Sequence, residues 1–441
     1  MGTPRTITAC ILAATAALVA AGSLQARPDA AAPAAGEVDA APRRWLQPGQ
    51  TPPSDSDVLR DTMKLVPKLR RSETTHYVIL SDTTPEDVSM IGSMLEATVQ
   101  KFAEVSDALD WSPKPLRHKL VAVVFRDQGD YADFAAACDK VNKSWAVGYY
   151  SPVADRLVLY KSDNGADVRK AIKQLDDESR RLQEAEQRQG GQGMALHTNR
   201  DFGHAKRQLS AEHARIRDVA TGSFVSTAVH EAAHQLLFHT DVQRRGVAYP
   251  LWLAEGLATN FETERIDVRF GYQQDNWRRR DSFKSALDKD SVVPFEVLLT
   301  QDRLTDGTDN AEAIGNFYAQ AYALTNWMMR ERPTELRLYL DSLRDGSYAN
   351  PHTRKEKFEA IYGPMARVER NWVRYEGARQ RDILFTPYSK RVLATPTRAP
   401  VQPAPTGEGA ESDAATGMAA TPATETPKQV KTPAVRSSAS E

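Results

Sequence analysis

One stretch constrains this chain more than any other: FVSTAVHEAAHQLLFHT, from Phe224 to Thr240. Val229, Leu236 and Leu237 can face a core, Ala232 and Ala233 are small, and no proline interrupts, so the stretch reads as a helix. On a helix, residues four apart lie about 40° apart around the axis and about 6 Å apart along it, so His230 and His234 project side by side. That is the spacing at which two imidazole nitrogens share one zinc ion at about 2.0–2.1 Å. Glu231 stands beside the first histidine, placed to reach a water on the metal without binding the metal itself. With nine histidines in 441 residues, chance supplies such a pattern about 0.01 times. A buried polar trio with no cation would also need partners to offset its desolvation.

Two imidazoles do not complete a zinc site, which takes a third protein ligand and leaves a position open for water. The next predicted helix, YPLWLAEGLATNFETE, starts at Pro250 and carries Glu255. Between the helices, DVQRRGVAYP is long enough to fold the second back beside the first. Glu255 is therefore the candidate third ligand, and no obvious fourth protein ligand closes the site.

VHEAAH followed by LWLAEGLA resembles the gluzincin clan of zinc metallopeptidases, whose core is called peptidase-MA-like. It also resembles a family of exported bacterial proteins known as a domain of unknown function. The resemblance implies that His230, His234 and Glu255 bind Zn2+ and that Glu231 is the catalytic base. The aminopeptidase branch has a further glutamate seven residues past its ligand glutamate, where this chain has Glu262. It also places an oxyanion-donating tyrosine before a helical run some sixty residues later. Tyr318, in FYAQAYALTNWM, falls at that spacing, with Tyr322 one turn further on; as plain residues, both read equally as core aromatics. Two departures limit the likeness. The aminopeptidase segment that binds a free amino end has no counterpart here, and Thr259 stands where thermolysin-like enzymes carry an acid. The implied activity is a zinc-dependent endopeptidase acting on a peptide or protein. The alternative is a non-catalytic zinc-binding envelope scaffold that keeps the peptidase fold.

The ends of the chain say where this would happen. Residues 1–26 carry Arg5, the run ITACILAATAALVAA and a small-residue end, the pattern of a secretory signal peptide, so the expected location is the periplasm or the exterior. Only nine residues precede Cys10, too few for a lipoprotein signal, and no lipid anchor is expected. With the signal removed, Cys138 is the one remaining cysteine and no internal disulfide can form. A net charge of −1 gives no global field for nucleic acid or anionic lipid. No second apolar run approaches the about 20 residues of a membrane span. Nothing in the sequence fixes the oligomeric state.

Residues 27–56 are Ala/Pro-rich and read as a disordered linker, and residues 391–441 as a disordered Pro/Ala/Thr-rich tail. Between them, residues 57–390 form the expected domain. Its class is α+β: a gluzincin-like mixed lobe with a small sheet and the histidine helix, then a mostly helical lobe. THYVILS, HKLVAVVF, AVGYYS and DRLVLYK read as four strands, with one helix opening at Thr84-Pro85 among two in that lobe. DRLVLYK is expected to offer an exposed edge to an extended peptide. Residues 163–221 are highly charged and read as a solvated helical insertion, broken by a turn at GGQG. Its His197, His204 and His213 lack ligand spacing. His239 points off the metal face, toward a hydrogen bond in the helix's last turn. NWRRRD, from Asn276, reads as a solvated helix start rather than a docking patch for an acidic partner.

Overall fold

The structure, a computed structural model, describes residues 51–141, 146–190, 196–301, 311–346 and 350–385. The expected signal peptide, the linker up to residue 50, the turn beyond Gly190 and the tail lie outside these residues. All described residues fall within the unit Met1–Ala394. The class is mixed α+β, as expected.

The first lobe opens with α1 (Asp57–Leu65), which Ser56 caps by accepting the Leu59 N–H. The end of the expected linker is thus already in place, and the Pro53 carbonyl accepts the Lys119 N–H at 2.8 Å. Strands β1 (Arg70–Glu73) and β2 (Tyr77–Ser81) precede α2 (Pro85–Ala108), which Thr84 caps with Pro85 in its first turn. Then come β3 (Leu120–Phe125), the short α3 (Gln128–Phe134), β4 (Gly148–Ser151) and β5 (Arg156–Tyr160).

The sheet has five strands, not four, in the order β1-β2-β3-β5-β4. Strand β1 escaped the sequence reading because RRSE is charged and carries no apolar alternation. The three central strands run parallel and the outer two antiparallel. Both sheet faces are covered, which explains the unbroken apolar runs of β2, β3 and β5. Ile79, Ala122 and Leu157 face one core, and Val78, Val121 and Val158 face a second, smaller one under α3. The expected exposed edge at DRLVLYK is corrected here: β5 is paired on both sides, and the edge beside it is β4.

Helix α4 (Ala166–Gly190) packs against α5 (Leu196–His239). The insertion is helical, but it is not separate from the histidine helix. The 44 residues of α5 run as one rod of about 66 Å. A small apolar seam, including Leu175, Leu182, Phe202 and Leu209, joins its charged half to α4. Its other half turns Ala228, Val229, Ala232, Ala233, Leu236 and Leu237 into the main core, and Gln235 donates to the Val121 carbonyl at 3.2 Å.

The second lobe is helical: α6 (Leu251–Thr259), α7 (Trp277–Asp288), α8 (Phe295–Thr300), α9 (Ala311–Glu331), α10 (Pro333–Leu343), α11 (Pro351–Tyr362) and α12 (Met365–Phe385). Helix α6 lies against α9 with almost no gap at Gly256, where a Cβ would meet the Thr325 Oγ1 at 2.1 Å and the Ala321 carbonyl at 2.7 Å. Asn260, at the end of α6, donates to the Tyr322 carbonyl at 3.3 Å and accepts from Asn326 at 2.7 Å. These contacts fix the axis of α6 and hence the aim of its side chains. Among the described residues no helix is long and apolar enough to cross a membrane.

Candidate metal centre

Helix α5 presents His230, Glu231 and His234 at the junction of the two lobes. The loop after it turns at Asp241 and Gly246, both with positive φ, and returns the chain so that Glu255 on α6 faces the two imidazoles. His230 Nε2 lies 3.2 Å from His234 Nε2 and 3.2 Å from Glu255 Oε2, and His234 Nε2 lies 3.6 Å from the same oxygen. Three ligands at about 2.0–2.1 Å from a tetrahedral ion stand about 3.3 Å apart, so these edges match one face of such a site.

His230 Nδ1 meets Glu262 Oε1 at 3.0 Å, and a carboxylate there accepts a hydrogen bond from Nδ1–H, which keeps the neutral ring's proton on Nδ1 and leaves Nε2 as a lone pair. That lone pair faces another imidazole nitrogen and a carboxylate oxygen, so the point between them calls for a cation. Formal charge agrees: Glu231, Glu255 and Glu262 are three carboxylates, and Arg279 is one guanidinium on Glu262, leaving two negative charges uncompensated. In the metal-free chain, burial pushes His230 down, but its bonds to Glu255 and Glu262 outweigh this and raise it to about 10. A proton then fills the point of convergence.

Glu262 is held by Arg279 and Asn276 as well as by His230. Arg279 grips it with Nε at 2.8 Å and Nη2 at 2.7 Å, and Asn276 Nδ2 donates at 3.0 Å. Burial alone would raise its pKa, but the Arg279 charge and the bonds from His230 and Arg279 bring it down to about 2. Asn276 caps α7 by accepting the Arg279 N–H. The expectation of a solvated helix start at NWRRRD is corrected: the helix does start there, but Arg279 is turned onto Glu262 and Arg280 is buried against Asp275.

Glu231 is half-buried, and its Oε2 accepts the Tyr150 main-chain N–H at 2.8 Å. Burial raises its pKa; the His230 and His234 charges oppose this without cancelling it. Tyr318, on α9, sits with its ring 6.3 Å from that of His230 and the Arg279 guanidinium 5.3 Å over its face. The Glu255 charge, then burial, holds the Tyr318 hydroxyl well above its ordinary value, so it stays protonated. Tyr322 is elsewhere: its hydroxyl accepts the Asn276 N–H at 3.0 Å and so steadies the start of α7.

His230, Glu231, His234, Glu255 and Tyr318 are therefore brought together, with Glu262 behind them. Residues 224–351 match the profile of a family described as a protein of unknown function, DUF1570. No curated protein matches the chain. The DUF1570 match begins at Phe224 and so takes in the histidines, Glu255, Glu262, Arg279 and Tyr318. It leaves out the sheet, the Tyr150 amide and the charged half of α5. The Tyr150 amide could not be read from sequence, because a main-chain donor leaves no residue-type signal. Arg279 had a signal, as the residue three past a helix-capping asparagine, but its partner Glu262 lies in the segment that follows α6.

Proposed function

We propose that the protein is a zinc-dependent peptidase that cleaves within peptide chains, with His230, His234 and Glu255 holding the metal. The observation that carries this reading is the convergence of two Nε2 atoms and one carboxylate oxygen at tetrahedral spacing, in a pocket with two uncompensated negative charges. When bound, zinc would polarise the peptide carbonyl and lower the pKa of water to about 7. Glu231 takes the proton of the attacking water and delivers it to the leaving nitrogen, work suited to a carboxylate whose pKa burial has raised. The protonated Tyr318 hydroxyl donates to the oxygen that gains charge. Glu262, gripped by Arg279, keeps the His230 ring in one tautomer and orientation.

Strand β4 supports cleavage within chains. Its outward Tyr150 N–H is taken by Glu231, but as the sheet's edge strand β4 would still let an extended peptide lie beside it without presenting a free end. The amino-terminal apolar run supports an activity outside the cytoplasm.

The test is mass-spectrometric profiling of a random peptide library incubated with the zinc-loaded protein and with its Glu231→Gln variant. Cleavage by the first and none by the second, at equal zinc content, is the expected result. Equal cleavage by both would remove Glu231 as the base, and no cleavage by either would overturn the peptidase reading.

A further inference from the structure

A second polar cluster lies next to the metal centre, and the mechanism above leaves it without a task. Asp155 sits in the turn between β4 and β5, only 4% exposed. Its φ of 56° is left-handed, a conformation that costs a non-glycine residue energy. Its Oδ1 accepts three donors: the Tyr150 hydroxyl at 3.0 Å, His239 Nε2 at 2.6 Å and the Arg245 guanidinium. The Tyr150 ring stacks on Phe238 with centroids 6.0 Å apart. The same Tyr150 donates its main-chain N–H to Glu231.

These contacts close a loop. Glu231 and His239 are both on α5, about 12 Å apart along its axis. Tyr150 meets the first through its amide and the second through its hydroxyl and Asp155. The edge strand is therefore pinned to the helix at two points, and its register against Glu231 depends on the second. Without Asp155, the phenol, the imidazole and the guanidinium lose their shared acceptor, and what remains at that end is a ring stack.

We propose that Asp155 is a positioning residue for the base: with His239 and Arg245 it holds the Tyr150 hydroxyl, and so keeps the Tyr150 amide on the Glu231 carboxylate. The proposal rests on the peptidase reading for its consequence in turnover, but its geometry is tested separately. In the zinc-loaded full chain with 15N-labelled tyrosine, the hydrogen-exchange rate of the Tyr150 amide reads the contact directly, and Glu231→Ala calibrates its loss. Asp155→Asn should speed that exchange about tenfold, the scale of one net hydrogen bond. Tyr150→Phe, which keeps the ring stack and the main-chain donor, should do the same to the amide of the new residue in 15N-phenylalanine-labelled protein.

Both variants should keep one zinc per chain and lower kcat about tenfold while KM changes less than about twofold, because an orienting contact acts in the transition state. Unchanged exchange at residue 150 in both variants would overturn the proposal, and so would a variant that lowers thermal stability while exchange and kcat stay as in wild type. If the wild-type protein cleaves no peptide, the peptidase reading fails, and the exchange result alone decides whether Asp155 positions Glu231.

Discussion

Two clusters in this molecule have the same composition and opposite character. His230, His234 and Glu255 form one, and His118, Asp155 and His239 the other; in each, the candidate ligand atoms lie within 4.8 Å of one another. In the first, the carboxylate oxygen faces both imidazoles, and the nearby guanidinium of Arg279 is turned onto Glu262. In the second, Arg245 lies on the same Asp155 oxygen that His239 and the Tyr150 hydroxyl use, and His118 Nδ1 meets the Lys119 carbonyl at 3.0 Å. One guanidinium balances one carboxylate there, whereas around the first cluster Glu231, Glu255 and Glu262 share the single guanidinium of Arg279. The lesson is that two histidines and an acid do not make a metal centre. A fixed cation already on the acid takes the place that a metal would fill, and the cluster becomes a clamp.

The largest effect separates the two directly. Glu255→Ala should leave the purified chain without stoichiometric zinc, while His118→Ala should keep one equivalent, as read by inductively coupled plasma mass spectrometry. Loss of zinc on His118→Ala would break the comparison. Next comes Tyr318→Phe, which should spare zinc and lower kcat by about 10²–10³ if the hydroxyl is one oxyanion donor; an unchanged rate would return Tyr318 to packing. Glu262→Gln should weaken zinc binding by about 10–100-fold, the usual cost of losing an outer carboxylate on a ligand histidine. A competition titration against a chelator measures it.

The last effect is one of pH. In the metal-free chain the pKa of His230 is raised from 6.5 to about 10. A raised histidine pKa stabilises the fold fully below its unfolded value, and that contribution is lost as pH climbs through the folded value. The melting temperature of metal-free protein should therefore fall as pH rises from about 6.5 toward 10, and zinc-loaded protein, with no proton at Nε2, should lack that component. At His239 the direction is reversed: burial pushes the ring below its ordinary value, and Asp155 recovers only part of the loss. Equal pH profiles with and without zinc would mean that the His230 proton is not what the metal replaces.

How much of this could be read from residues alone follows from where each contact lies. His230, Glu231 and His234 share one helix face, and a local period displays them. Glu255 sits on the next amphipathic helix, one short connection away, so its approach was also legible. The four apolar strands and the Thr84-Pro85 helix start follow from local patterns of the same kind. What escaped is long-range or main-chain. Strand β1 is charged, and its place in the sheet comes from pairing with β2. The continuity of α5 was hidden by its change from a polar to an apolar surface. The Tyr150 amide joins segments far apart in sequence, the Arg279 grip on Glu262 depends on how the chain between them folds back, and His239 finds its acceptor in the β4–β5 turn rather than in its own last turn.

The most direct test of the account is an anomalous difference map, collected at the zinc edge, from crystals of the full chain grown with zinc. One peak is expected, bonded to His230 Nε2, His234 Nε2 and Glu255 Oε2 at about 2.0–2.1 Å, with a fourth position open to solvent and no density at Asp155. A peak at the Asp155 cluster, or none between the two α5 histidines, would contradict it.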